Sequence, residues 1–158
     1  MMGGKRLLCA ALAALVLVAC EDPYDAGMQA FEERDWPTAI SRFERVDPFH
    51  LYYRDAQDRI RQSVYNAGVD AFEAGQWRIS ISYLRRVDED DANYTGARDL
   101  VGAAFYEMAV VSFDRGEFTE ALRLSNIVRT SCSRYDQART LADRARRLAS
   151  AEEAVSSQ

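Results

Sequence analysis

Tyr24-Asp25-Ala26-Gly27-Met28-Gln29-Ala30-Phe31-Glu32 returns 41 residues later as Tyr65-Asn66-Ala67-Gly68-Val69-Asp70-Ala71-Phe72-Glu73. A second step of 41 lands on Tyr106-Glu107-Met108-Ala109-Val110-Val111-Ser112-Phe113-Asp114. The same offset superposes Trp36, Trp77 and Phe118; Ala39, Ser80 and Ala121; Phe43, Leu84 and Ser125; and Val46, Val87 and Val128. It also carries Tyr53-Arg54-Asp55-Ala56 onto Tyr94-Thr95-Gly96-Ala97 and onto Tyr135-Asp136-Gln137-Ala138. A period of roughly 20 to 50 residues marks stacked supersecondary units, because one such unit cannot bury its apolar face alone.

Inside each unit the spacing is helical. Tyr24, Gly27, Met28 and Phe31 stand at i, i+3, i+4 and i+7, one face of a helix, and no alternating strand pattern competes with it. Gly75 and Gly116 fall where a first helix should close, since glycine enters the left-handed conformation without a Cβ clash. Trp36-Pro37 opens a second helix, proline being tolerated in a first turn where its missing N–H has no helical partner. Long helices are predicted over 51–74 and 92–115 and shorter ones over 37–46, 78–87 and 119–130, joined by turns at Asp47-Pro48, Asp88 to Asp91 and Ser131 to Ser133. Residues 134–152 begin a fourth unit with Tyr135 and Ala138, but Arg146 occupies the place of Val64 and Phe105. A terminal helix with one polar face is how a stack of repeats ends in water.

Small residues recur where paired helices must approach: Gly27, Gly68 and Ala109 on the first helix, Ala39, Ser80 and Ala121 on the second. A glycine, an aromatic at the turn, then Ala-Ile or Ala-Leu resembles the tetratricopeptide repeat; Ala39-Ile40 with Phe43, and Gly116-Glu117-Phe118-Thr119-Glu120-Ala121-Leu122, match best. The chain departs from that family in its 41-residue period, against the usual 34, and in lacking the closing proline. The resemblance implies an all-α, helical-hairpin solenoid of three 41-residue tetratricopeptide-like repeats over 24–152 with a C-terminal capping helix, followed by a flexible tail, 153–158.

Upstream of the repeats, Lys5 and Arg6 precede an apolar run of thirteen residues, Leu7 to Ala19, that ends in Leu17-Val18-Ala19-Cys20 and stops at Glu21-Asp22-Pro23. The run is shorter than the roughly 20 residues that cross a bilayer, and its charged start and short apolar stretch read as an export signal. Its end resembles the lipobox of bacterial lipoproteins. That resemblance implies a signal peptide, 1–19, cleaved before Cys20, acyl (palmitate-type) chains on Cys20, and a tether, 20–23. It implies outer-membrane anchoring with the domain facing the periplasm. The alternative is the outer leaflet of the inner membrane, since Asp22 follows Glu21 near the position that sorts enterobacterial lipoproteins.

Without residues 1–19 the chain carries 18 arginines and 25 acidic residues, 18 − 25 = −7, so nucleic acid and anionic membrane surfaces, both bound through clustered positive charge, are unlikely partners. Of three cysteines, Cys9 leaves with the signal and Cys20 takes the lipid, leaving Cys132 without an intramolecular partner. The single histidine, His50, is too little for a His-based metal cluster or nucleophile pair, and the run Asp88-Glu89-Asp90-Asp91 lacks the glycine turn and spacing of a calcium loop. No catalytic residue, metal ligand or cofactor is assigned, and the chain is read as a non-enzyme.

Three ladders remain as candidate partner-binding residues: Tyr24, Tyr65 and Tyr106; Phe31, Phe72 and Phe113; and Glu32, Glu73 and Asp114. In tetratricopeptide arrays the first helix lines the binding groove, aromatic anchors are enriched at binding hot spots, and an acidic ladder suits a basic or amide-rich segment. Repeated packing accounts equally for aromatic ladders, and a solvated helix end for acidic ones. The expected function is a membrane-tethered, protein-binding scaffold, monomeric, with another envelope protein or peptide segment as partner. In plan it resembles the tetratricopeptide lipoprotein of the outer-membrane β-barrel assembly machinery, and accessories of secretion or pilus machines share that plan. The alternative is a small-ligand or glycan-binding envelope lipoprotein.

Overall fold

The computed structural model describes residues 21–156; the export-signal and lipid-attachment expectations, Cys20 included, lie outside the described residues. The described chain is all-helical, with seven helices and no strand: α1 (Pro23–Glu32), α2 (Trp36–Phe43), α3 (Tyr53–Glu73), α4 (Trp77–Leu84), α5 (Tyr94–Asp114), α6 (Phe118–Ser125) and α7 (Tyr135–Ser156). Among the described residues no helix is long and apolar enough to cross a membrane. The long helices start at Tyr53, Tyr94 and Tyr135 and the short ones at Trp36, Trp77 and Phe118, each set in steps of 41.

Helices α1, α3 and α5 close in the same way. The backbone turns left-handed at Arg34 (φ 59°), Gly75 (φ 70°) and Gly116 (φ 78°). The next amide then reaches back five residues, Asp35 N–H to the Ala30 carbonyl, Gln76 to Ala71 and Glu117 to Ser112, at 2.9, 2.8 and 2.9 Å. Two of the three left-handed positions carry the expected glycine. The first carries Arg34, whose Cβ clash costs roughly 1–2 kcal/mol, against which its guanidinium gains Asp70 at 2.7 Å and the face of Trp36 at 5.9 Å.

The even-numbered helices are shorter than the apolar spacing predicts. They end at Phe43, Leu84 and Ser125, and the chain leaves through i→i+3 bonds, Val46 N–H to Phe43 O, Val87 to Leu84 and Val128 to Ser125. Tightening by one residue per turn rotates Val46, Val87 and Val128 into the core, where all three are buried, so the periodic apolar position survives while the α-helix does not. At the other end of the molecule α7 extends to Ser156, into the segment read as tail, where no proline or glycine interrupts it and Ser156 Oγ donates to the Glu152 carbonyl at 2.8 Å.

Packing runs along the chain: every helix touches the next, and α1 touches α3, α3 touches α5 and α5 touches α7, whereas the even helices do not touch one another. The array is therefore more closely spaced along its odd-helix side. Ala56, Ala97 and Ala138, one turn into α3, α5 and α7, are fully buried, clustered with Val46, Val87 and Val128 respectively. Within each hairpin the closest approach is set by a missing Cβ. One added at Gly27 would lie 2.6 Å from the Phe43 ring, and one at Gly68 would lie 2.5 Å from Leu84 Cδ2. In the third hairpin the equivalents are Ala109 and Ser125, both buried, and the Ser125 hydroxyl finds no hydrogen-bond partner among the described residues.

Gly68→Ala is expected to cost about 1–3 kcal/mol through overpacking. In a Leu84→Ala background, where the space is vacated, the same change should cost less than about 0.5 kcal/mol. Urea unfolding of the four chains measures the coupling, and equal costs in both backgrounds would show that these helices are not locked at this contact.

Candidate functional site

The three ladders fall on α1, α3 and α5. Their six aromatic residues are half-buried against the core, while Glu32, Glu73 and Asp114 are the last residues of their helices and stand exposed. None of these three carboxylates is ion-paired among the described residues. The phenylalanines serve packing first. Phe31 meets Trp36 edge-on at 5.3 Å under the Arg59 guanidinium at 5.1 Å, and Phe113 meets Phe118 at 5.3 Å under Arg144 at 4.7 Å.

The three tyrosines are not equivalent. Tyr24 stacks on Tyr52 at 4.8 Å and donates its hydroxyl to Asp55 Oδ2 at 2.6 Å, fastening α1 to α3. That bond, with help from burial, pushes the Tyr24 phenol up to about 12. Residues 41 and 82 beyond Asp55 are Gly96 and Gln137, and among the described residues the hydroxyls of Tyr65 and Tyr106 make no hydrogen bond. Tyr106 lines a crevice of about 510 Å³ between α5 and α7, with Thr140, Leu141 and Arg144 across from it. The three tyrosines lie on α1, α3 and α5; that Asp55 ties down the first and leaves the other two hydroxyls without a bond follows from the residue opposite each.

His50 and Cys132 prove to hold one position of the repeat. In each inter-unit turn the side chain at 50, 91 or 132 accepts the backbone N–H two residues on: His50 Nδ1 from Tyr52 at 3.2 Å, Asp91 Oδ1 from Asn93 at 2.7 Å and Cys132 Sγ from Arg134 at 3.4 Å. The His50 bond requires the Nε2–H tautomer, whose proton faces Asp22 Oδ2 at 3.2 Å. Cys132 is buried against Gly102, and burial, reinforced by Asp99, pushes its thiol up, so at neutral pH it is a thiol rather than a nucleophilic thiolate. Both residues are structural in this geometry.

Behind the second and third of these turns lies a cleft, and the two differ. The first, about 210 Å³, is lined by Arg61 and Arg86 with Asp88 and Asp91. In the second, about 350 Å³, the equivalents of Asp88 and Arg61 are Arg129 and Gly102, Arg98 replaces Gln57, and Arg85 joins them. Asp99, its one carboxylate, accepts Ser133 N–H at 2.6 Å and Ser133 Oγ–H at 2.8 Å. Burial pushes that carboxyl up, but the two Ser133 bonds, Cys132 and Arg134 outweigh it and hold it below the usual carboxylate range. Arg85 and Arg98 lie over the rings of Phe105 and Tyr94 at 5.6 and 6.0 Å, and with Arg129 they are not ion-paired among the described residues. This cleft can accept an anionic group. Helical periodicity cannot find it; its signal in the sequence is departure from the repeat.

Compared with protein-family models, curated proteins and solved structures, the chain matches none.

In an ultraviolet titration Tyr24 should ionise last of the tyrosines, near pH 12, and return to the ordinary range in Asp55→Asn. Because its folded value lies above its unfolded one, about 10, the stability it contributes is complete below pH 10 and is lost as pH rises through 12. A Tyr24 that titrates with the other tyrosines would break the proposed bond.

Proposed function

We propose that the chain is a three-unit tetratricopeptide-like solenoid, capped by α7 and held at the outer membrane through a lipid on Cys20. On this reading its α1–α3–α5 side binds a segment of another envelope protein on the periplasmic face. The observation that carries the reading is the coincidence of three things on one side of the array. The odd helices are spaced most closely there, Tyr65 and Tyr106 offer uncommitted hydroxyls there, and Glu32, Glu73 and Asp114 stand there as exposed carboxylates without ion-pair partners among the described residues. Half-buried aromatic residues with a free polar tip suit a protein partner, since they add contact area at little entropic cost. The repeated carboxylates favour a partner segment that is basic or rich in amide donors. Binding rather than catalysis fits the commitment of His50 and Cys132 to turns.

In-cell cross-linking of the full-length chain and its Cys20→Ser form, followed by mass spectrometry, is expected to recover envelope-assembly, secretion or pilus components with the lipidated form alone. Tyr65→Phe removes only the free hydroxyl, and Tyr65→Ala removes the ring as well. The first should weaken capture slightly and the second about tenfold or more, with the melting temperature of Tyr65→Phe unchanged. Capture that is indifferent to both changes would move the binding surface off the odd-helix side.

The arginine-lined cleft favours a second reading, a lipoprotein that binds a small anionic ligand. Calorimetric titration with inorganic phosphate should then give saturable heat that Arg98→Gln abolishes. An absence of heat at millimolar phosphate would set that reading aside.

A further inference from the structure

The turn between α2 and α3 exposes three large apolar or aromatic side chains in succession around His50: Phe49 is 98% exposed, Leu51 83% and Tyr52 50%. The counterparts one unit on are Asp90, Ala92 and Asn93, and two units on they are Ser131, Ser133 and Arg134. All three turns share one backbone pattern, in which the amides of residues 50, 91 and 132 bond to the carbonyls of 47, 88 and 129. The fold thus accepts small or polar residues in this turn twice and does not require large apolar ones the third time.

The position of this turn supplies a reason. His50 Nε2 reaches Asp22 Oδ2 at 3.2 Å and the Tyr52 ring stacks on Tyr24 at 4.8 Å, so the turn is fastened against the first residues of α1. Asp22 lies two residues from Cys20, a reach of at most about 7 Å of extended chain. An anchor at Cys20 therefore brings a bilayer to the same corner of the molecule that exposes Phe49 and Leu51.

We propose that residues 48–52 form a membrane-docking site, in which Phe49 and Leu51 enter the interface of a phospholipid bilayer and Tyr52 sits at headgroup level. This proposal rests on the reading that Cys20 carries the lipid. Acyl chains alone hold the domain near the membrane but leave it free to swivel, and two apolar side chains beside the anchor fix which way it faces. The repeat units would then point away from the surface in one orientation. Charge argues for a zwitterionic surface: Glu21, Asp22, Asp47 and Asp55 lie near the turn against Arg45, Arg54 and Arg59, the last paired with Asp55, so there is no cationic excess to attract anionic lipid and high salt should not release the contact. Tyrosine, with an apolar ring and a polar tip, is the residue type enriched at that depth.

The full-length lipidated chain, reconstituted in phosphatidylcholine vesicles, tests this with tryptophan placed at Phe49 or at its counterpart in the next turn, Phe49→Trp and Asp90→Trp. Both substitutions lie on exposed turns and leave the core untouched. Expected are a blue-shifted emission and quenching by lipid brominated near the headgroup end of its acyl chains for Phe49→Trp, unchanged by high salt, and neither effect for Asp90→Trp. If the chain floats with the vesicles but Phe49→Trp stays unquenched and unshifted, the docking site is overturned while the anchor stands. A blue shift without lipid quenching would mean that protein, from a second copy or from residues before Glu21, covers the turn, and would overturn the lipid assignment. A chain that does not float with vesicles at all overturns the anchor and the docking site together.

Discussion

The contact on which the architecture depends is a side chain that is absent. Gly27 and Gly68 let the Phe43 ring and the Leu84 side chain lie where a Cβ would otherwise stand, and both large residues are completely buried as a result. Burying a side chain of that size contributes about 1.5–3 kcal/mol, and an eight-residue helix such as α2 or α4 has too few internal hydrogen bonds to persist in water without it. The short helices therefore exist because the long ones leave room for them. The same approach brings Ser80 Oγ within 2.8 Å of the Gly68 carbonyl, so the one hydroxyl introduced at the Ala39–Ser80–Ala121 position is satisfied.

This dependence explains why so much of the fold could be read from the sequence. The hairpin interface demands a small residue, an aromatic turn and an apolar face at fixed separations, and repetition wrote that demand three times, so that chance matches are filtered out by the period. The long helices, expected from residues 51, 92 and 134 and starting one or two residues later at Tyr53, Tyr94 and Tyr135, and the left-handed closures at Gly75 and Gly116, were legible for that reason. What was not legible has equally physical causes. Val46, Val87 and Val128 keep helical spacing although the chain has already tightened out of the α-helix, because periodicity records which side chain is buried and not which hydrogen bond is made. Arg34 holds a glycine position because Asp70 and Trp36 receive its guanidinium, and Asp70, 36 residues on, lies outside any local window. Of the candidate site, the helices that carry the ladders were legible, but not the commitment of Tyr24 to Asp55, which separates it from the two tyrosines it matches in sequence.

The turns show how a repeat conceals chemistry as well as revealing structure. A histidine, an aspartate and a cysteine invite three different functional readings when met singly. Placed in register they do one job, accepting the amide two residues on. The acceptors differ in strength, oxygen at 2.7 Å against sulfur at 3.4 Å, and the weaker one is compensated by packing, since Cys132 fills the space that Gly102 opens. Rarity of a residue type in the chain is thus poor evidence of a chemical role when the position belongs to the scaffold.

The converse carries the functional reading. A position that the scaffold has solved twice with polar or small residues is under no structural pressure to change, so a change there has to be accounted for by something outside the core. Arg129 meets that condition, as do Phe49, Leu51 and Tyr52, while the residue opposite each ladder tyrosine differs in every unit. Gly96 and Gln137, in place of Asp55, release the hydroxyls of Tyr65 and Tyr106; Arg98 and Arg129, in place of Gln57 and Asp88, turn a charge-balanced cleft into a cationic one; and Phe49, Leu51 and Tyr52 put apolar surface beside the start of α1. The first lies on the odd-helix side and the second behind the last turn, while the third sits at the end where the chain enters the fold. Their separation matters, because a surface that docks on a membrane cannot also receive a soluble partner. Were the membrane at the α1 corner, as proposed, the free tyrosines and the cationic cleft, both in later units, would be left clear of it, and the three differences between units are compatible with one orientation of a single molecule.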